Sequence, residues 1–144
     1  MDAKAAGKFI GVLFLSRTVA HQMHLKTESY AQHVALNTFY DEIVDMADGI
    51  AEQCQGEYEE LLDIPTLAAK DATEPLKYFK DTLKWVQTNR YVAFDKDDTS
   101  IQNDIDNVVK LFRSTIYKLR FLKWRHEEPS HFRKLERTMR FMWP

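Results

Sequence analysis

The chain has 144 residues, 44% of them hydrophobic and 29% charged, a size and balance that suit one globular domain. Four Gly and four Pro are too few for the turns of an all-β protein, and a single cysteine, Cys54, excludes both an intrachain disulfide and a Cys-rich zinc site. A formal net charge of −2 excludes a surface that is basic throughout, as whole-surface wrapping of nucleic acid requires.

The expected fold is all-α: four segments carry apolar residues at helical spacing, separated by short stretches with prolines and caps. The first helix is predicted from about Ala3 to Lys26, with Phe9, Val12, Leu13, Ser16, Ala20 and Met23 three or four apart and no acid between Asp2 and Glu28. Its apolar run, Phe9 to Leu15, is far short of the roughly 20 residues that span a bilayer. No small-x-small cleavage site follows it, so the reading is a buried helix in a cytosolic protein, not a secretory leader or a membrane span.

The second helix starts after Thr27 or Ser29 and carries the stripe Leu36, Phe39, Tyr40, Ile43, Ala47, Ile50, Cys54 as far as Gly56, the expected C-terminal cap. A linker around Ile64 and Pro65 leads to a third helix that begins near Thr73-Glu74-Pro75, buries Leu76, Phe79, Leu83 and Val86, and ends between Arg90 and Phe94. The fourth opens on Thr99-Ser100-Ile101-Gln102, read as a capping box, and continues through Ile105, Val108, Phe112, Ile116, Leu119 and Leu122.

Residues 1–122 therefore form the bundle domain, and 123–144 a basic extension. Lys118 to Pro144 holds eight Lys or Arg against three Glu, and Phe132, Leu135, Met139 and Met142 after Pro129-Ser130 mark a short amphipathic helix. Two roles compete for it. Its apolar side docks on the bundle or a neighbouring subunit, with its cations facing the acids of the second helix. Alternatively, Lys123, Arg125, Arg133, Lys134, Arg137 and Arg140 contact the phosphates of DNA, independently of sequence.

Chemistry concentrates around the second helix. From Thr27 to Ala69 there are ten Asp or Glu and no Lys or Arg, and Asp41, Asp45, Asp48 and Glu52 form one stripe roughly opposite the apolar face. Such a stripe is either a solvated face or a set of mutually repelling carboxylates that a cation or a second subunit relieves. His21 and His24, spaced H-x-x-H at the end of the first helix, and His33 at the start of the second precede it. These histidines are either caps and turn packing or ligands, and imidazole with carboxylate suits Fe, Zn, Cu or Mn better than Mg or Ca. A di-iron site inside one bundle is excluded, because the first helix has no interior Glu and the third and fourth offer only Glu74 at a start, with Asp81, Asp104 and Asp106 elsewhere.

His21-Gln22-Met23-His24, then His33, then Asp48-Gly49-Ile50-Ala51-Glu52 resembles the Dps family, DNA-binding proteins from starved cells within the ferritin-like bundles. That family has a helix-A H-x-x-H, a histidine opening helix B, and a D-x-I-A-E segment fifteen residues later. The match covers about residues 10–55. The resemblance implies a ferritin-like up-down four-helix bundle with the basic C-terminal helix appended. It implies ferroxidase sites in which His24 and His33 of one subunit meet Asp48 and Glu52 of its partner, with His21 as the alternative first ligand. It further implies a homo-oligomer built on antiparallel second helices, up to a dodecamer, that oxidises Fe(II) with hydrogen peroxide or oxygen and stores it, Zn or Mn being alternative occupants. Fifteen helical residues separate His33 from Asp48 by ~22 Å, so one chain cannot close such a site alone. The same features are similar to small ferritin-like proteins of tailed bacteriophages, which implies a bacterial cytoplasm or an infected host cell. That likeness also leaves a second reading, a non-catalytic interaction or virion-associated bundle.

Overall fold

A computed structural model describes residues 1–70 and 72–123. Its elements are α1 (Ala3–Lys26), α2 (Tyr30–Tyr58), α3 (Pro75–Ala93) and α4 (Thr99–Phe121), with no strand among the described residues. The expected all-α bundle is thus observed. The basic segment beyond Lys123, expected to be helical, lies outside the described residues.

Side-chain carboxylates and hydroxyls set the helix starts. Asp2 accepts from the Ala5 N–H at 3.0 Å, Ser29 from the Gln32 N–H at 3.3 Å, and Glu74 from the Leu76 and Lys77 N–H groups just before Pro75. Two termini differ from the sequence reading. Asp98, not Thr99, caps α4 and accepts from the Ile101 N–H, because a carboxylate also complements the positive end of the helix. Helix α2 runs past Gly56, which has no positive φ, and stops where Glu59 takes the left-handed conformation at φ 50°.

The apolar stripes meet with two corrections to the sequence reading, Leu76 and Leu83 of α3 being only half-buried and Leu122, just past the end of α4, 47% exposed, and the core centres on aromatic rings. Phe9, Phe39, Phe79 and Phe112, one from each helix, are all fully buried. Phe39 lies 4.6 Å from Phe79 and 4.9 Å from Phe112 in edge-to-face contact, and Phe9 packs on Phe94 in the same way at 5.3 Å.

Helix α1 packs on α2 and α3, and α4 packs on the same two, so α1/α4 and α2/α3 occupy diagonals. The consecutive helices α2 and α3 are therefore joined by a crossover and not by a hairpin. At one end of the bundle the Tyr58 hydroxyl donates to Asp95 and Asp98 in the α3–α4 turn, and Gln53 donates to Asp104. At the other end Thr73 and Pro75 share a cavity with Met23, Lys26 and Gln32 beside the α1–α2 turn. The link between α2 and α3, described over residues 60–70 and 72–74, consequently runs the length of the bundle, and the two helices point the same way. This corrects the simple up-down layout expected from the sequence: each hairpin is up-down, and the link between them is not.

Two glycines of α1 let the crossover lie flat on that helix. A Cβ on Gly7 would sit 2.1 Å from the carbonyl oxygen of Asp63, and one on Gly11 would sit 2.9 Å from that of Pro65. Between α3 and α4 the buried Arg90 acts as a clamp. Its Nε donates to Gln102 Oε1 at 2.7 Å, one terminal nitrogen donates to the Gln102 carbonyl at 2.7 Å, and the other donates to Asp106 at 2.8 Å.

Candidate functional site

The turn at Thr27–Ser29 folds the end of α1 back on the start of α2. The Thr27 hydroxyl fixes it by donating to Gln32 Oε1 at 2.8 Å and accepting from the Ser29 N–H at 3.1 Å. This turn brings His24, in the last turn of α1, against His33, in the first turns of α2. The rings stack with centroids 3.6 Å apart and planes 23° from parallel. His24 Nδ1 lies 2.8 Å from the carbonyl oxygen of His33, and His33 Nδ1 lies 3.0 Å from that of His24.

A carbonyl oxygen only accepts, so both Nδ1 atoms carry hydrogen. In the neutral rings each Nε2 then holds a free lone pair. Among the described residues neither Nε2 has a hydrogen-bond partner, and neither is a buried orphan, a condition found there only for Gln53 Oε1. The His33 bond also satisfies a carbonyl in the last turn of α1 that has no partner within that helix. A ring oriented through Nδ1–H to a backbone carbonyl, with Nε2 left open, is the arrangement in which histidine binds metal ions.

His21 joins the same cluster, with its ring centroid 6.0 Å from that of His24 and stacked on Tyr40 at 4.3 Å. Tyr40 meets His24 edge-on at 5.2 Å, donates its hydroxyl to Asn37 Oδ1 at 2.6 Å, and lies 5.9 Å from the Arg17 guanidinium. Sequence reasoning placed Tyr40 only in the apolar stripe. Its position seven residues after His33, on the same helical face, was the available signal.

The carboxylates lie elsewhere. Asp41, Asp45, Asp48 and Glu52 are exposed along α2, and among the described residues none has an ion-pair partner. Asp41 accepts a hydrogen bond from Asn37 at 2.9 Å. Asp48 and Glu52 are fifteen and nineteen residues along α2 from His33, ~22 Å and ~28 Å at the helical rise. Within one chain, no three His, Cys, Asp or Glu gather in a metal-holding group among the described residues. The two histidines are thus brought together and the two acids are not brought to them. Of the candidate nucleic-acid contacts, Lys123 is exposed just beyond α4, and Arg125, Arg133, Lys134, Arg137 and Arg140 fall outside the described residues.

Compared with known proteins, residues 24–119 match the family of unknown function DUF5856. The chain belongs to that family. The match spans His24, His33, Asp48 and Glu52 together with all of α2 and α3, and it leaves His21 outside. A relative in Enterobacteria phage T4, the "Uncharacterized 14.6 kDa protein in mobD-ri intergenic region", is 28% identical over 116 residues, covering 79% of this chain and 87% of the relative. No solved structure matches the chain. No helix among the described residues is long and apolar enough to cross a membrane.

Proposed function

We propose that this DUF5856 member is a ferritin-like protein that binds Fe(II) between two subunits and oxidises it, in the manner its sequence resemblance to the Dps family implies. The observation that carries the reading is the His24–His33 pair, in which backbone carbonyls satisfy both Nδ1–H groups and two Nε2 lone pairs remain. The single long crossover between helix pairs, which is the connectivity of ferritin-like bundles, supports it further. So does the α2 stripe of exposed carboxylates without basic partners, whose repulsion a bound cation relieves.

On this reading the separation of the donors calls for a dimer. With two α2 helices antiparallel about a twofold axis, His24 and His33 of one chain face Asp48 and Glu52 of the other, giving two sites per pair of chains. Imidazole nitrogen and carboxylate oxygen together suit Fe(II), and Zn(II) or Mn(II) as alternatives. Iron is the substrate. Hydrogen peroxide takes one electron from each of two Fe(II) and, with two protons, leaves two waters and two Fe(III). The remaining acids of α2, Asp41 and Asp45, raise the local cation concentration. Larger assemblies built on this dimer would hold the ferric product.

The alternative is a non-catalytic interaction bundle. The histidine pair satisfies its Nδ1–H groups without metal, and the relative is a phage protein, as suits a non-catalytic bundle in an infected cell. One experiment separates them: Fe(II) oxidation by purified protein, with mass from light scattering. The proposal requires catalysed oxidation, a mass at least twice 17.0 kDa, and loss of the activity in Asp48→Ala/Glu52→Ala with the helices intact. A monomer without oxidation supports the interaction protein.

A further inference from the structure

We infer that the groove between α2 and α4 is the docking site of the chain's own C-terminal segment, residues 124–144, folded back within the same molecule. The groove measures about 520 Å³, with Thr38, Glu42, Asp45 and Gly49 on its α2 side, Lys118 on its α4 side, and Met46 and Leu111 contributing apolar surface.

Four observations select that occupant. First, α4 delivers the segment to one end of the groove: Lys118 lines it, and the helix ends three residues later at Phe121. Second, the helical rows that line the groove continue past it into exposed apolar side chains. Val34, one turn before Thr38, is 45% exposed, and Phe121, seven residues after the lining Ser114, is 66% exposed. Third, the lengths agree. The groove follows α4 from Asp104 to Lys118, ~21 Å of helix, and residues 130–144 at the helical repeat read from the sequence span ~22 Å. Residues 123–129, containing Pro129, remain for the reversal.

Fourth, charge and apolar patterns are complementary on the α2 side of the groove, while Lys110 and Lys118 stand with Asp104 on its α4 side. Glu42 and Asp45 lack ion-pair partners among the described residues, on a stretch of chain with no Lys or Arg. The segment carries Arg125, Arg133, Lys134, Arg137 and Arg140 against three Glu, and its Phe132, Leu135, Met139 and Met142 recur every three or four residues. The groove is open over Gly49, where a Cβ meets nothing within 4 Å. The groove lies on the α4 side of α2, and Asp48 and Glu52 do not line it, so docking leaves the proposed metal ligands uncovered and takes up only Asp45 of the acids assigned to attracting cations.

Trypsin cleavage of the full chain at Arg133 to Arg140, followed by mass spectrometry, tests this against a synthetic peptide of residues 124–144. Docking predicts cleavage at least about tenfold slower in the protein than in the peptide. Glu42→Lys/Asp45→Lys, and separately the charge-neutral Gly49→Leu, should each move the rate toward that of the peptide with helical circular dichroism unchanged. If one variant does not fold, the other still decides. Cleavage of the wild type as fast as the peptide overturns docking, and so does protection that survives both variants. Protection that vanishes on dilution assigns the groove to a second copy's segment and overturns docking within one chain.

Discussion

His24 and His33 each donate Nδ1–H to the other's backbone carbonyl, at 2.8 and 3.0 Å, across rings stacked 3.6 Å apart. The contact joins the end of α1 to the start of α2 and dictates the same tautomer for both rings. Nitrogen NMR of the imidazoles should therefore find hydrogen on both Nδ1 atoms near pH 8. His33→Ala removes one donor and leaves a helix-end carbonyl without its partner, so denaturant unfolding should show a loss of about 1–2 kcal/mol. Hydrogen on Nε2 in either ring would contradict the assigned geometry.

Glycine substitutions should split by sign. Gly7→Ala places a methyl 2.1 Å from a backbone oxygen of the crossover, so residues around Asp63 must move, at a cost of about 1–3 kcal/mol. Gly56→Ala meets nothing within 4 Å in a helix interior and should stabilise by about 0.5–1 kcal/mol. Urea midpoints of the two variants would test both, and a neutral Gly7→Ala would remove the close crossover contact.

Those glycines also mark what the sequence left unread. Periodicity with capping signals located α1 to its terminal residues, narrowed the α2 cap to Thr27 or Ser29 and put the start of α3 near Thr73-Glu74-Pro75, because local backbone and side-chain chemistry determines them. It also marked His24 and His33 as neighbours across a short turn. The crossover depends on contacts between residues far apart in the chain, Tyr58 with Asp95 and Gly7 with Asp63, which no helical period encodes. Gly7 and Gly11 form a G-x-x-x-G in α1 whose meaning requires knowing what lies against it. The reciprocal histidine bonds likewise needed the turn geometry, and the Asp98 cap displaced Thr99 by a single residue.

The Arg90 clamp joins α3 to α4 through Gln102, which is 7% exposed, and Asp106, whose side chain is 54% exposed. Arg90→Ala deprives the buried Gln102 of two charged donors, and a loss of about 2–3 kcal/mol is expected. Asp106→Asn touches only the exposed arm and should cost less than about 1 kcal/mol. Equal losses in the two variants would show that the ion pair, and not the Gln102 contacts, holds the helices.

Burial pushes the Tyr78 hydroxyl up to about 12. The unfolded chain ionises near the ordinary tyrosine value of about 10, so above that pH the unfolded state binds fewer protons than the folded one. The contribution of Tyr78 to stability is complete below about pH 10 and is lost as pH rises through about 12. Tyr78→Phe should flatten that alkaline decline, measured by thermal melts from pH 9 to 12. An unchanged decline would place its origin elsewhere.

Subunit mixing tests whether the metal site takes its histidines from one chain and its carboxylates from another. His24→Ala/His33→Ala and Asp48→Ala/Glu52→Ala chains are each predicted to bind no Zn(II) or Fe(II) by calorimetry. When the two are unfolded together and refolded, half of the dimers become mixed and each regains one intact site, so roughly a quarter of the wild-type capacity should return. No recovery on mixing, or full metal binding by either parent variant alone, would contradict the shared site.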